Sequence, residues 1–409
     1  MKEKKSARLP NGLRPVRQIE LNEKHIKPRA VLVIALLVVA VAAIAYGLRS
    51  LTVTEPGWYT IESDASAGVS CADDFVFSYQ VGTTTVPART ELQNVSRLYT
   101  TATAAAFRLF DAYTEYEGVN NLAKVNHHWN EKVQIDPALY AALSQAAESR
   151  YLYLAPWYQE DWALFHAQSD GEAAECDPER SAEEAAFRIQ SAKYLNDPEA
   201  VRLELLGNST VELHVSGECV AFAEEYGVTG LVDFGWMKNA FIADYLADRM
   251  LENGFTRGSI SSYDGFSRNL DAGREYALNL FSRSEKGTAR QSALLTYTAP
   301  CALTAMRAFR VDAREAYYYR WQDGSFRSGH LDPRDGLSRD AFDSLAAASE
   351  SLGCGEMLLR LLPAVIADQA DPAALEALAG RDMAVAFWES GVWQLTGDET
   401  MVKMKTDGP

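Results

Sequence analysis

A short apolar stretch at residues 230–234 runs directly into a helical pattern at 236–251, and the junction carries Asp233, Gly235 and Lys238. Lys238 falls one turn into the helix, where a lysine either meets a phosphate or is an ordinary exposed side chain. Asp233 either caps the helix or serves a ligand. Asp244 interrupts an otherwise apolar stretch and is a solvated side chain on the bland reading. His330 precedes Asp332-Pro333 and Gly336, a pattern that suits a reactive imidazole or a plain turn. Glu356 stands near a helix start; it could hold a cation, and it also suits the helix dipole without one. His127-His128 resembles a metal pair, but adjacent residues on a strand point apart. The motifs Gly-x-Ser-x-Gly and Gly-x-Gly-x-x-Gly are missing, as is a Walker-type phosphate loop.

The elements that must position these residues have their own signatures. Alternation predicts strands at 75–81, 201–206 and 211–215. Residues 230–234, 259–263, 276–281, 292–298, 316–321 and 383–388 also read as strands, and 383–395 as a closing hairpin about Ser390-Gly391. Helical spacing covers 97–116, ended by Gly118. Asp136-Pro137 opens a second helix that buries Leu139, Leu143 and Ala146. Ser181 with Glu184 gives a capping box. Residues 358–366, with Pro363, and 372–378 read as further helices. The class is α/β or α+β, with no internal repeat.

Nineteen apolar residues at 30–48 match the length of a transmembrane helix. Residues 1–29 hold nine Lys or Arg against three Glu. Basic flanks stay cytoplasmic, so the expected order is a cytoplasmic tail (1–29), one membrane helix (30–48), a stalk (49–75) and an extracytosolic body (76–409). A cleaved signal peptide is the rival reading, and Tyr46-Gly47-Leu48 is a poor cleavage site for it. The net charge is −17, and the excess of acid lies entirely after residue 29. That balance argues against nucleic acid and against a body lying on anionic lipid. The five cysteines show no C-x-x-C and no metal spacing; buried free thiols are favoured over disulfides.

Four segments in order resemble the FAD:protein FMN transferase (ApbE) family. They are FRLFDAYTEYEGVNNLAKVN with VQIDPALYAAL, GLVDFGWMKNAFIADYLADRMLENGF, DGSFRSGHLDPRDG, and the closing strand pair. In the second, Asp233, Gly235, Lys238 and Asp244 fall in the family register. In the third, His330, Asp332-Pro333 and Gly336 match, with one residue fewer between His and Asp. The resemblance implies an ApbE-like fold over roughly 75–400. It also implies transfer of FMN from FAD to a Ser or Thr hydroxyl of a partner, with release of AMP and help from Mg²⁺. Asp233, Gly235, Lys238, Asp244, Asp264 and Gly265 would then bind the flavin nucleotide, with His330 and Asp332 catalytic and Glu356 on the metal. A strand opening into a helix offers N–H groups and a positive dipole end to phosphate. The implied partner is an FMN-binding acceptor or an electron-transfer complex at the outer face of a bacterial membrane.

The chain also departs from the family. Trp236 replaces the second glycine of the strand–turn–helix, and Asn239 the glycine after the lysine. Residues 261–265 keep only Asp264 and Gly265 of the flavin-contacting segment. Residues 312–316 stand where the family has Thr-Ser-Gly. Glu356-x-x-x-Arg360 stands for the metal motif Asp-x-x-x-Thr, and an arginine repels a cation. Two expectations follow: an active transferase with an altered site, or a non-catalytic relative that binds a flavin or a protein and acts as an extracytosolic assembly subunit.

Overall fold

The computed structural model describes residues 26–52, 54–64, 68–284 and 287–406. The chain divides into two units, Met1–Glu55 and Pro56–Pro409. In the first, a helix spans Ile26–Thr52, with large apolar side chains from Val31 to Ile44 exposed. Among the described residues no helix is long and apolar enough to cross a membrane. The basic tail, up to residue 25, lies outside the described residues.

The second unit is built on an eight-stranded sheet in which every neighbouring pair is antiparallel. Its order is Gly57–Ile61, Phe75–Val81, Gly258–Ser262, Phe266–Asn269, Ala302–Arg307, Ser344–Ser349, Ala384–Glu389 and Val392–Gly397. The helices Ala88–Leu109, Lys238–Glu252 and Cys354–Val365 cover one face. Lys403–Thr406, Ala289–Tyr297 and Tyr276–Arg283 form a small sheet that closes part of the other. The strand Ala302–Arg307 shows how both faces are filled. Ala302 and Met306 join the helix-side core, while Leu303 and Ala305 join the cluster under the small sheet. On that second side Trp393 donates its indole N–H to Ser292 Oγ at 2.8 Å.

Several expectations hold. Phe75–Val81 is a strand with strict in–out alternation, and Asp136 and Ser181 cap their helices. The carboxylate of Glu184 bonds Arg188 instead of closing the capping box. The five cysteines are free, four of them buried.

Others need correction. Residues 57–61, read as stalk, form the edge strand paired with Phe75–Val81. The helix read at 97–116 begins at Ala88 and ends at Leu109, because the Asp111 carboxylate takes the N–H groups of Tyr113 and Thr114 and turns the chain. Residues 230–234 are not a strand. The Asn126 amide accepts from Leu231 N and Val232 N and donates to the Val232 carbonyl, satisfying backbone that a sheet would otherwise pair. Only Tyr318–Arg320 of 316–321 is a strand.

Candidate functional site

Chain geometry at the 233–239 junction builds a recess. Asp233 is buried; it accepts from Gly235 N at 3.0 Å and from the Tyr113 hydroxyl at 3.2 Å. Gly235 is obligatory here: its φ is +51°, and a Cβ would lie 2.3 Å from the Tyr158 ring. After one 3₁₀ turn, Gly235–Met237, the α-helix begins at Lys238. The recess, about 140 Å³, is lined by this turn, by Tyr263 and Asp264 from the neighbouring hairpin, by Asp74, and by residues 314–317. Trp162, Trp236, Tyr263 and Tyr317 give it aromatic walls.

Its electrostatics centre on Lys238, whose ammonium has no hydrogen bond or ion pair with any described residue. Burial raises the Asp233 carboxyl above the usual range, and the Lys238 charge opposes the rise. The same balance acts on Asp74. Burial pushes Asp264 up to about 6, with Ser262 and Asn239 offsetting part of the shift. Arg314 lies over the Tyr263 ring at 3.5 Å but is engaged with Asp312. Lys238 is thus the cation at the recess whose charge is not already met by a bonded acid.

A second, smaller hollow of about 20 Å³ adjoins, and Trp236, Asp264 and Tyr317 border both. His330 lines it, 2% exposed, with its ring 4.3 Å from that of Trp236. The His330 Nδ1 faces the Asp340 carboxylate, which also accepts from Ser328 Oγ at 2.9 Å. A carboxylate on Nδ1 holds the proton there and leaves Nε2 as the acceptor.

The fold therefore brings Gly235, Lys238 and Asp264 to one recess, with Asp233 beneath it and His330 behind the Trp236 ring. The other sequence candidates lie elsewhere. Asp244 caps a different helix: it accepts from Cys354 N at 2.9 Å and Gly355 N at 3.0 Å, and pairs with Arg268 at 2.6 Å. Asp332 is enclosed by Arg334 and Arg339 and fixes the turn that ends at Gly336. Gly265, at φ +114°, sits against the Ala305 carbonyl, where a Cβ would come within 2.7 Å. Glu356 does not line the recess; it pairs with Arg360 at 3.2 Å, and Arg360 reaches Asp382 at 3.1 Å.

That donor set does not fit Mg²⁺. A guanidinium already neutralises the carboxylate and would repel a second cation. Among the described residues no group of three or more His, Cys, Asp or Glu is placed to hold a metal.

Sequence reasoning missed Asp340 and Asn239 as contributors. Asp340 is ten residues from His330 and reaches it only because the Leu331–Ser338 bridge folds the loop back. Asn239 was visible as the side chain standing in place of a glycine.

No known family and no curated protein matches the chain by sequence. Solved structures do match. The ApbE protein of Thermotoga maritima superposes with a TM-score of 0.56 at 14% identity, over 84% of this chain and 97% of that one. The flavin transferase ApbE of Vibrio cholerae gives 0.51 at 12% identity, over 80% and 94%. The fold is that of the ApbE proteins. Within this ApbE-like fold the recess at Lys238, not the Glu356 helix, is where the predicted residues meet.

Proposed function

We propose that this chain is a flavin-nucleotide-binding protein of ApbE-like fold, held at the outer face of a bacterial membrane, that serves a flavoprotein partner without transferring FMN itself. The single observation that carries the binding claim is Lys238: an unpaired cation beside the Gly235 turn at a helix start, walled by aromatic rings. In this reading the Lys238 ammonium holds a phosphate, and Trp236 and Tyr263 flank the remainder. The recess is smaller than the roughly 300–1,000 Å³ of pockets that enclose whole ligands. The rest of a dinucleotide therefore lies across its mouth, along Trp162.

The non-transferring half is supported by the Glu356–Arg360 pair, which the sequence resemblance aligns with the family's metal motif, and by Trp236, which stands where that alignment has a glycine and packs 4.3 Å from the His330 ring. Anchoring is supported by the exposed apolar side chains of Val31–Ile34 and Leu36–Val39, which need a lipid or protein cover.

The test mixes the full chain in detergent with FAD, Mg²⁺ and an FMN-acceptor domain, then inspects the acceptor for covalent flavin fluorescence after denaturing electrophoresis. The expected result is no fluorescent acceptor band with FAD still bound. A Mg²⁺-dependent band would establish an active transferase instead.

A further inference from the structure

Two polar atoms beside Lys238 lack partners. The Asn239 side-chain amide donates to Asp264 Oδ2 at 2.9 Å. The remaining oxygen of each residue, Asn239 Oδ1 and Asp264 Oδ1, is buried with no hydrogen bond. Buried acceptors are normally satisfied, and each one left bare is unfavourable. Turning the Asn239 amide over does not help, because it would set its oxygen against the Asp264 carboxylate.

Chain geometry holds the pair in place. Asn239 follows Lys238 in the first turn of the helix. Asp264 sits in the tight hairpin between Gly258–Ser262 and Phe266–Asn269, where Gly265 takes φ +114°. Lys238, Asn239 and Asp264 all border the same recess. A cation for phosphate thus stands next to two acceptors that want donors. Amines are a poor match, because Lys238 would repel them. Neutral hydroxyl groups are a good match, since an alcohol can donate both to a carboxylate and to an amide oxygen.

We propose that Asn239 and Asp264 form a hydroxyl-reading pair that recognises the polyol attached to the phosphate held by Lys238. The proposal rests on the phosphate-binding role of Lys238 argued above and deepens it: the ligand is a sugar or sugar-alcohol phosphate carrying a flat ring. The ribityl chain of a flavin nucleotide and the ribose of an adenine nucleotide share this chemistry. The recess takes the phosphate and its adjacent hydroxyls, which suits its small size, and leaves the ring to the aromatic walls.

The test is equilibrium binding to the full chain in detergent, with two pairs of probes. One pair is FMN and an isoalloxazine carrying a pentyl phosphate without hydroxyls. The other is AMP and 2′,3′-dideoxy-AMP. The expected result is that one hydroxylated probe binds about tenfold tighter than its hydroxyl-free counterpart, and the pair that shows this identifies the source. Asn239→Ala and Asp264→Asn should bring the ratio towards one. Lys238→Ala should weaken both members of the pair alike and leave the ratio standing. A ratio near one in the unaltered protein, with binding still lowered by Lys238→Ala, overturns the hydroxyl pair alone. A tenfold ratio that survives in both Asn239→Ala and Asp264→Asn overturns it too. Failure of all four probes to bind removes this proposal together with the flavin-binding function.

Discussion

Asp264 is the residue on which chemistry and environment meet most sharply. Burial raises its carboxyl to about 6, and Asp74 and Glu315 push the same way, while Ser262 and Asn239 oppose the rise. Ionised, it is the stronger acceptor for hydroxyl groups. Binding should therefore be strong above pH 6 and weaken as pH falls through 6, by about tenfold at pH 5 if the carboxylate form alone binds. Binding measured from pH 5 to 8 checks this, and Asp264→Asn should flatten the profile. Asp233 and Asp74 are raised as well, and a phosphate monoester ionises near pH ~6, so the part of the slope that Asp264→Asn removes is the part assigned to Asp264. Most of this was hidden in the sequence. Lys238 and Gly235 were singled out by the resemblance to the ApbE strand–turn–helix; on pattern alone Lys238 reads as an exposed lysine. The Asn239–Asp264 contact joins residues 25 positions apart, and no spacing rule points to it.

At the scale of elements, the site helix Lys238–Glu252 positions more than the recess. Through Asp244 it caps Cys354–Val365, and through the same carboxylate it holds Arg268 on the strand Phe266–Asn269. Asp244→Ala should destabilise the protein by about 2 kcal/mol, combining a lost cap with a partly buried pair. Urea denaturation checks it. A change of only a few tenths would restore the solvated-face reading that the sequence suggests. Phe75–Val81 and Ala182–Leu195 were legible because one alternates and the other has its Ser181 cap. Ala302–Arg307 and Ser344–Ser349 were not. Both are buried along their whole length and so show no alternation; Ser344–Ser349 is Ser, Leu and Ala throughout, and Thr304 is the one β-branched residue of Ala302–Arg307. The helix at 88–109 was misplaced because side chains at 111–116, not a change of hydrophobic period, decide where it stops.

At the scale of the whole molecule, a strongly acidic chain carries one apolar helix at its start. That helix exposes large apolar side chains from Val31 to Ile44, and the proposed attachment to a membrane rests on them. Cell fractionation should place the full chain with membranes. High salt or alkaline carbonate should leave it there, and detergent should release it. Release by salt alone would reduce the attachment to surface charge, which the net charge of −17 disfavours. The ApbE-like fold persists at 14% identity or below because it rests on general requirements: an antiparallel sheet filled on both faces and a glycine turn with no space for a Cβ.

The central claim is that Lys238 makes this recess a phosphate site for a flavin nucleotide. The most direct measurement is titration of the full chain in detergent with FAD, with and without Mg²⁺, beside Lys238→Ala. The account predicts saturable binding that is indifferent to Mg²⁺ and weakened about tenfold or more by the substitution, as expected for losing one charged contact to phosphate. Equal affinity in the two proteins, or no binding in either, would contradict it.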